Sequence, residues 1–295
     1  MSHYAFDNGE ALLALCKKEK LPISEIMLLR EMAQSELPRE TILAEMQKNL
    51  ATMRQSVEEG LSGELKSVSG LSGGDAARLA SYEEKALCGQ RLARAAAAGM
   101  AVVEVNASMG RIVAAPTAGA SGILPGALFA CAPDFNWTDD ALTLSLFTAG
   151  AVGLLIAANA SISGAEGGCQ AETGSAAAMA AAALTELMGG TPEKCLHAAA
   201  MALKNVMGLV CDPVAGLVEC PCIKRNAMGT ANAMLCADMA LAGVKSLIPF
   251  DETVSAMRAV GRLMSPDLRE TARGGVATTP TGRAIRKSLG LDGEE

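Results

Sequence analysis

The chain has 295 residues, half of them hydrophobic, with a formal charge of −7 and a pI near 5.1. That length suits one large domain or two small ones and supplies enough apolar surface for a substantial core, which excludes disorder over most of the chain. The acidic balance and the lack of a basic stripe interleaved with aromatics exclude a nucleic-acid surface and favour small-molecule chemistry.

Residues 9–20 and 24–35 read as short amphipathic helices, the second with Ser24 as N-cap before Glu25. The opening stretch MSHYAFDNGEALLALCKKEK has no basic segment followed by an apolar run and a cleavage site, so a cytoplasmic location is expected. Over residues 39–59, Ile42, Leu43, Met46, Leu50 and Met53 recur at helical spacing with charges between them, the pattern of an exposed amphipathic helix. Residues 60–75, GLSGELKSVSGLSGGD, form the first loop of chemical interest. Its glycine turns expose backbone N–H groups beside serine hydroxyls, which suits a carboxylate or phosphate cradle ahead of a helix over residues 76–98. The same composition suits a flexible linker. No GxxxxGK[ST] motif is present, which disfavours a nucleotide site.

Residues 100–105 read as a short extended run. In IVAAPTAGASGILPG, residues 112–126, Pro116 and Pro125 bracket Thr117, Gly119, Ser121 and Gly122. This low-bulk set of hydroxyls and amides fits close approach of a small ligand, or else a plain connection between helices. A helix is expected from Thr138 or Asp139, and its stretch over residues 141–158 is nearly long enough to cross a membrane. It carries Thr143, Ser145, Thr148, Gly150 and Gly153 and runs into a polar loop, so a buried core helix and no membrane partner are expected. Helices follow over residues 175–188, 192–206, 229–243 and 250–264, ahead of a polar tail, GGVATTPTGRAIRKSLGLDGEE. Strands alternating with crossover helices are missing, so the expected fold is mainly α. The expected organisation is a single domain over residues 1–295, with a helical part to residue 60 and a core from residue 61 that carries the site.

Nine cysteines, an odd number without regular spacing, suit a reducing compartment and metal-bound or buried thiols better than a disulfide framework. Cys16, Cys88, Cys131, Cys195 and Cys236 lie in helical or apolar patterns and read as buried, inert thiols. The others stand apart. Cys211, Cys220 and Cys222 sit in VCDPVAGLVECPCIKRNA, where Pro213, Gly216 and Pro221 interrupt helical continuation, and Cys169 sits in the glycine-rich GAEGGCQAETGS. These thiols are expected to project from loops. Spacing does not support an ordinary zinc site: no pair of CxxC knuckles exists, and His3 and His197 lie in a terminus and an Ala-rich helix. Soft thiolates among small residues fit an iron-sulfur cluster better, with Cys220 placed to compete as a ligand.

Four ordered motifs carry a resemblance spread over almost the whole chain: SVSGLSGGDA (67–76), AAPTAGASGILPG (114–126), GCQAETGSAAAMAAAAL (168–184) and VCDPVAGLVECPCIKRNA (210–227). Together they resemble the alpha chain of the bacterial iron-sulfur-dependent L-serine dehydratases. The resemblance implies a multi-helix catalytic domain in which Cys169, Cys211 and Cys222 hold a 4Fe-4S cluster and Cys220 is not a ligand. Three ligands leave one iron open to act as a Lewis acid on the serine hydroxyl; loss of water and of the alpha proton then leads to pyruvate and ammonia. The substrate grip is expected in two loops, with Ser67, Ser69, Gly70, Ser72 and Gly73 in one and Thr117, Gly119 and Ser121 in the other. Lys224 and Arg225 are candidates for neutralising cluster and substrate charge. No histidine lies in any motif loop, so the base is expected from a separately encoded beta subunit, as in the two-chain form of the family. Ala118 stands where family members often have Asn. A related lyase for cysteine or threonine and a non-catalytic cluster-bearing subunit are the competing readings.

Overall fold

The computed structural model describes residues 3–291. In chain order its helices are α1 (Gly9–Glu19), α2 (Ile23–Ser35), α3 (Arg39–Leu61), α4 (Asp75–Ala80), α5 (Gln90–Ala107), α6 (Ile123–Phe135) and α7 (Asp139–Asn159). They continue with α8 (Gly164–Gly167), α9 (Cys169–Leu187), α10 (Pro192–Asn205), α11 (Cys222–Leu241), α12 (Phe250–Leu263) and α13 (Pro280–Ser288). No β-strand occurs among the described residues, in keeping with the mainly α expectation; an isolated parallel bridge joins Cys211 to Arg269.

Alanine sets the centre of the fold. In α9 the residues Ala176, Ala177, Ala178, Ala180, Ala181, Ala182 and Ala183 are all 0% exposed, and α6, α7, α10 and α11 pack around them. Side chains this small let helices approach from every side, so α9 is apolar all round instead of along one stripe. Larger side chains fill the outer layer. Leu142, Leu155 and Ile156 of α7 are fully buried, each contributing on the order of 2 kcal/mol from burial. α7 is also the helix long and apolar enough to span a membrane, yet it packs against α2, α3, α9 and α12 as a core helix. Thr138 starts it, accepting from the Ala141 N–H at 3.2 Å, with Asp139 and Asp140 favourable in the first turn.

Glycine decides where α5 and α6 cross. A Cβ on Gly122 would lie 1.9 Å from the Gly99 carbonyl oxygen, and one on Gly126 would lie 2.7 Å from the Gly99 nitrogen. The two backbones therefore touch, and no other residue fits at Gly122.

Several boundaries differ from the sequence reading, each for a local reason. Residues 100–105 are helical within α5: Val102, Val103 and Val105 suggested a strand, but no sheet exists among the described residues to receive them, and they are buried in the helix between α3, α6 and α11. The helix expected over residues 76–98 is two, because the chain leaves α4 at Ser81 and turns through Gly89 at φ 82° before α5 begins. Pro22, not Ser24, is the N-cap of α2; the Glu186 carboxylate of α9 accepts from the Ile23 and Ser24 N–H groups at 2.9 and 3.3 Å and caps that helix from outside. Cys88 is exposed, unlike the other four thiols taken as inert. The polar tail contains α13, which packs on the turn at Val214–Gly216. Residues beyond 291 lie outside the described chain.

Candidate active site

The thiols of Cys169 and Cys222 do not project from loops. Each is the first residue of a helix, α9 and α11 respectively, entered from Gly168 at φ 75° and from Pro221, whose peptide bond to Cys220 is cis. Glycine turns the chain into α9 without a side-chain penalty, and proline is tolerated just outside a helix start. Cys211 does lie on extended chain. Its N–H donates to Leu268 O and its carbonyl accepts from the Glu270 N–H, both at 2.8 Å, so segment 268–270 clamps it on both sides.

Gln170 ties two of these stretches together and was missed by sequence reasoning. It is fully buried; its backbone N–H donates to Leu209 O at 2.9 Å, its Oε1 accepts from the Gly208 N–H at 2.8 Å, and its Nε2 donates to Gly167 O and Met257 O. The start of α9 is thereby fixed to the chain that leads into Cys211. Asn226, also fully buried, does the same for α11: its Nδ2 donates to Gly119 O at 2.7 Å and Cys222 O at 3.0 Å, while its Oδ1 accepts from the Gly122 N–H.

The three thiols lie close enough to raise one another's pKa. Burial, then the neighbouring Cys169 and Glu172 charges, pushes the Cys222 thiol up to about 12. Cys211 is raised likewise, by burial first and then by Cys169, Glu172, Glu270 and Cys222, and Cys169 is raised by burial, opposed by Thr173 Oγ1 at 3.0 Å from its sulfur and by the Arg225 charge. Three thiols that oppose one another's ionisation form a donor set that needs a cationic centre to become thiolates together. Among the described residues no three Cys, His, Asp or Glu groups converge at single-ion spacing. Soft sulfur donors without histidine are the chemistry that iron-sulfur centres take. Cys220 is exposed, apart from the buried pair Cys169 and Cys211.

Glu172, one turn into α9, is the second residue the sequence did not reveal. Its Oε1 accepts from Thr117 Oγ1 at 2.8 Å, its Oε2 lies 3.9 Å from Cys211 Sγ, and burial raises its pKa. Gly119 is beside it: a Cβ there would lie 3.5 Å from Glu172 Oε1. The Thr117 loop thus reaches the thiols, although the Ser121 hydroxyl is buried and donates to Ala118 O at 2.7 Å.

The serine loop joins the same region through Glu219. Ser69 Oγ donates to Glu219 Oε1 at 2.6 Å and Ser72 Oγ to Oε2, while Ser67 Oγ lies 3.2 Å from Ser69 Oγ. Gly70 turns the loop at φ 78°, and a Cβ on Gly73 would lie 2.2 Å from Leu65 O. The helix-start amides expected to cradle a ligand are occupied from within: Glu104, buried, accepts from the N–H groups of Gly74, Asp75 and Ala76 at 3.0, 2.9 and 3.3 Å. Lys224 pairs with Asp75 at the surface, 60% exposed, whereas the Arg225 side chain is 15% exposed and pairs with Asp212 at 2.8 Å.

This is a class of helical protein that gathers three cysteines from separate stretches, two of them at helix starts, beneath two loops rich in glycine and hydroxyls. The family described as serine dehydratase alpha chain matches residues 18–277. A probable L-serine dehydratase alpha chain of Bacillus subtilis (strain 168) is 51% identical over 286 residues, covering 96% of this chain and 95% of that one. The L-serine dehydratase alpha chain of Peptoniphilus asaccharolyticus is 44% identical over 290 residues, 98% of this chain and 99% of that one. An L-serine dehydratase of Streptomyces coelicolor is 40% identical over 282 residues, 93% of this chain and 61% of its own length. The chain belongs to the serine dehydratase alpha chain family.

Proposed function

We propose that this chain is the alpha subunit of an L-serine dehydratase, a lyase that converts L-serine to pyruvate and ammonia, with Cys169, Cys211 and Cys222 holding a 4Fe-4S cluster. The observation that supports the reading is Glu172, in the α9 turn that Cys169 starts, reaching 3.9 Å from Cys211 Sγ and bonded to Thr117, with Cys222 at the start of α11. When bound, the cluster supplies a Lewis acid at the iron that no cysteine holds. The protein's own residues do the rest of the binding. Glu172 offers a half-buried carboxylate to the substrate ammonium, and Thr117 orients that carboxylate through its hydroxyl. Ser69 and Ser72, held by Glu219, bring the serine loop to the segment that leads into Cys222, where their loop can meet the substrate carboxylate. The alpha proton is removed by a group from a beta subunit, the aminoacrylate released by loss of water tautomerises to an imine, and hydrolysis of the imine returns that water and frees ammonia. A reducing, cytoplasmic setting suits such a site.

The test is anaerobic reconstitution of the purified chain with iron and sulfide, with and without the beta subunit, followed by assay of pyruvate from L-serine. Pyruvate formed only with both cluster and partner supports the reading. A bound cluster with no pyruvate in any pairing moves it to another substrate or a structural cluster.

A further inference from the structure

Resting on the cluster reading above, we infer that Arg225 is the positioning residue of the three-thiolate site, one guanidinium that ties the start of α11, which carries Cys222, to the stretch that carries Cys211. Arg225 stands three residues after Cys222, one turn along α11, so both side chains leave the same face of the helix. From there Nη1 donates to Val210 O at 2.7 Å and Nη2 to Asp212 Oδ1 at 2.8 Å. Val210 and Asp212 flank Cys211, so the fork grips that cysteine from both sides in sequence. Asp212, 3% exposed, is fully engaged, since its Oδ2 accepts from the Val276 N–H at 2.8 Å and thereby docks the turn ahead of α13.

A planar, permanently charged fork is the group that can make these contacts at once, where a lysine would offer a point charge without the geometry. The charge matters as much as the shape. Glu172 and Glu270 add negative potential around Cys211, and Lys224, the neighbouring cation, is turned outward to Asp75. Arg225 is thus the cation turned inward, onto the stretch that carries Cys211. Positive charge near a cluster raises its reduction potential, and a fixed Cys211 stretch holds its ligand in place.

The test uses Arg225→Gln and Arg225→Lys in the full chain, reconstituted anaerobically with iron and sulfide alongside the wild type. The readouts are the cluster's reduction potential, its electron paramagnetic resonance spectrum after reduction, and the rate of bleaching by an iron chelator. Arg225→Gln is expected to shift the potential negative and speed bleaching about tenfold, the loss of the one charge-assisted hydrogen bond to Asp212 that holds the Cys211 stretch. Arg225→Lys keeps the charge and is expected to lie between Gln and wild type. A Gln or Lys variant with wild-type potential, spectrum and bleaching rate overturns the inference, whatever happens to its melting temperature. A wild-type chain that takes up no cluster sinks the cluster reading itself, and this inference with it, before any variant is compared.

Discussion

Glu219 and Ser69 stand 150 residues apart in sequence and 2.6 Å apart in the fold, and the same carboxylate also holds Ser72. Glu219 is 5% exposed, so these two hydroxyls are its compensation for burial. Glu219→Ala leaves both hydroxyls without their acceptor and releases the serine loop from the segment leading into Cys222. We expect it to cost about 2–3 kcal/mol of stability. Ser69→Ala and Thr117→Ala remove one hydroxyl each and are expected to raise KM for L-serine while the cluster stays bound. Steady-state kinetics beside the visible absorbance of the cluster checks this, and bleaching in either variant would mean that the loops serve the cluster and not the substrate.

Cys169→Ser, Cys211→Ser and Cys222→Ser are each expected to abolish cluster binding and turnover, because a serine hydroxyl is a far poorer ligand for iron than a thiolate. Cys220→Ser is expected to keep both, since that side chain is exposed. Iron and sulfide content of the four reconstituted variants decides the matter. Equal loss in all four would remove the ligand assignment.

The helices of this protein were readable where apolar residues recur at helical spacing, as in α3, α10 and α12, and the four motif loops were readable from their glycine and hydroxyl content. The helix starts at the site were not. QAETG after Cys169 looks like polar loop, yet Gln170, Thr173 and Gly174 are buried, and Gln170 is satisfied by partners 38 and 87 residues away. The acids Glu104, Glu172 and Glu219 were equally hidden, because their partners lie 28 to 150 residues distant and nothing in the local pattern points to them. By contrast, α13 carried its own signal. Thr279 as N-cap ahead of Pro280 at the first helical position is a start pattern, passed over because the stretch is polar.

Two glycine substitutions separate packing from propensity. Gly122→Ala drives a methyl against the Gly99 carbonyl of α5, backbone against backbone, with no side chain free to move aside. We expect at least about 3 kcal/mol of destabilisation, or loss of soluble protein. Gly150→Ala in α7 meets nothing within 4 Å and is expected to gain up to about 1 kcal/mol from helix propensity. Denaturant midpoints of the two variants check both signs. A well-folded Gly122→Ala protein would show that α5 and α6 do not meet as described.

His197 lies on α10 in a groove with Leu196, Pro249 and Phe250, apart from the thiols and both site loops. Burial lowers its pKa below the usual 6.5, Lys245 and Lys204 lower it further, and Glu193 opposes them. A histidine whose folded pKa is depressed binds fewer protons folded than unfolded as pH falls through 6.5. Its contribution to stability is therefore present above that value and is lost as pH falls through the folded pKa. His197→Gln is expected to remove this part of the acid destabilisation, so that its stability falls less than the wild type's between about pH 7.5 and about pH 5.5. Urea unfolding at the two pH values measures the difference. Turnover of L-serine by the same variant, paired with the beta subunit, is expected to be unchanged, because His197 touches nothing in the site. A loss of turnover with cluster content intact would place a needed proton carrier on this chain instead of on the partner.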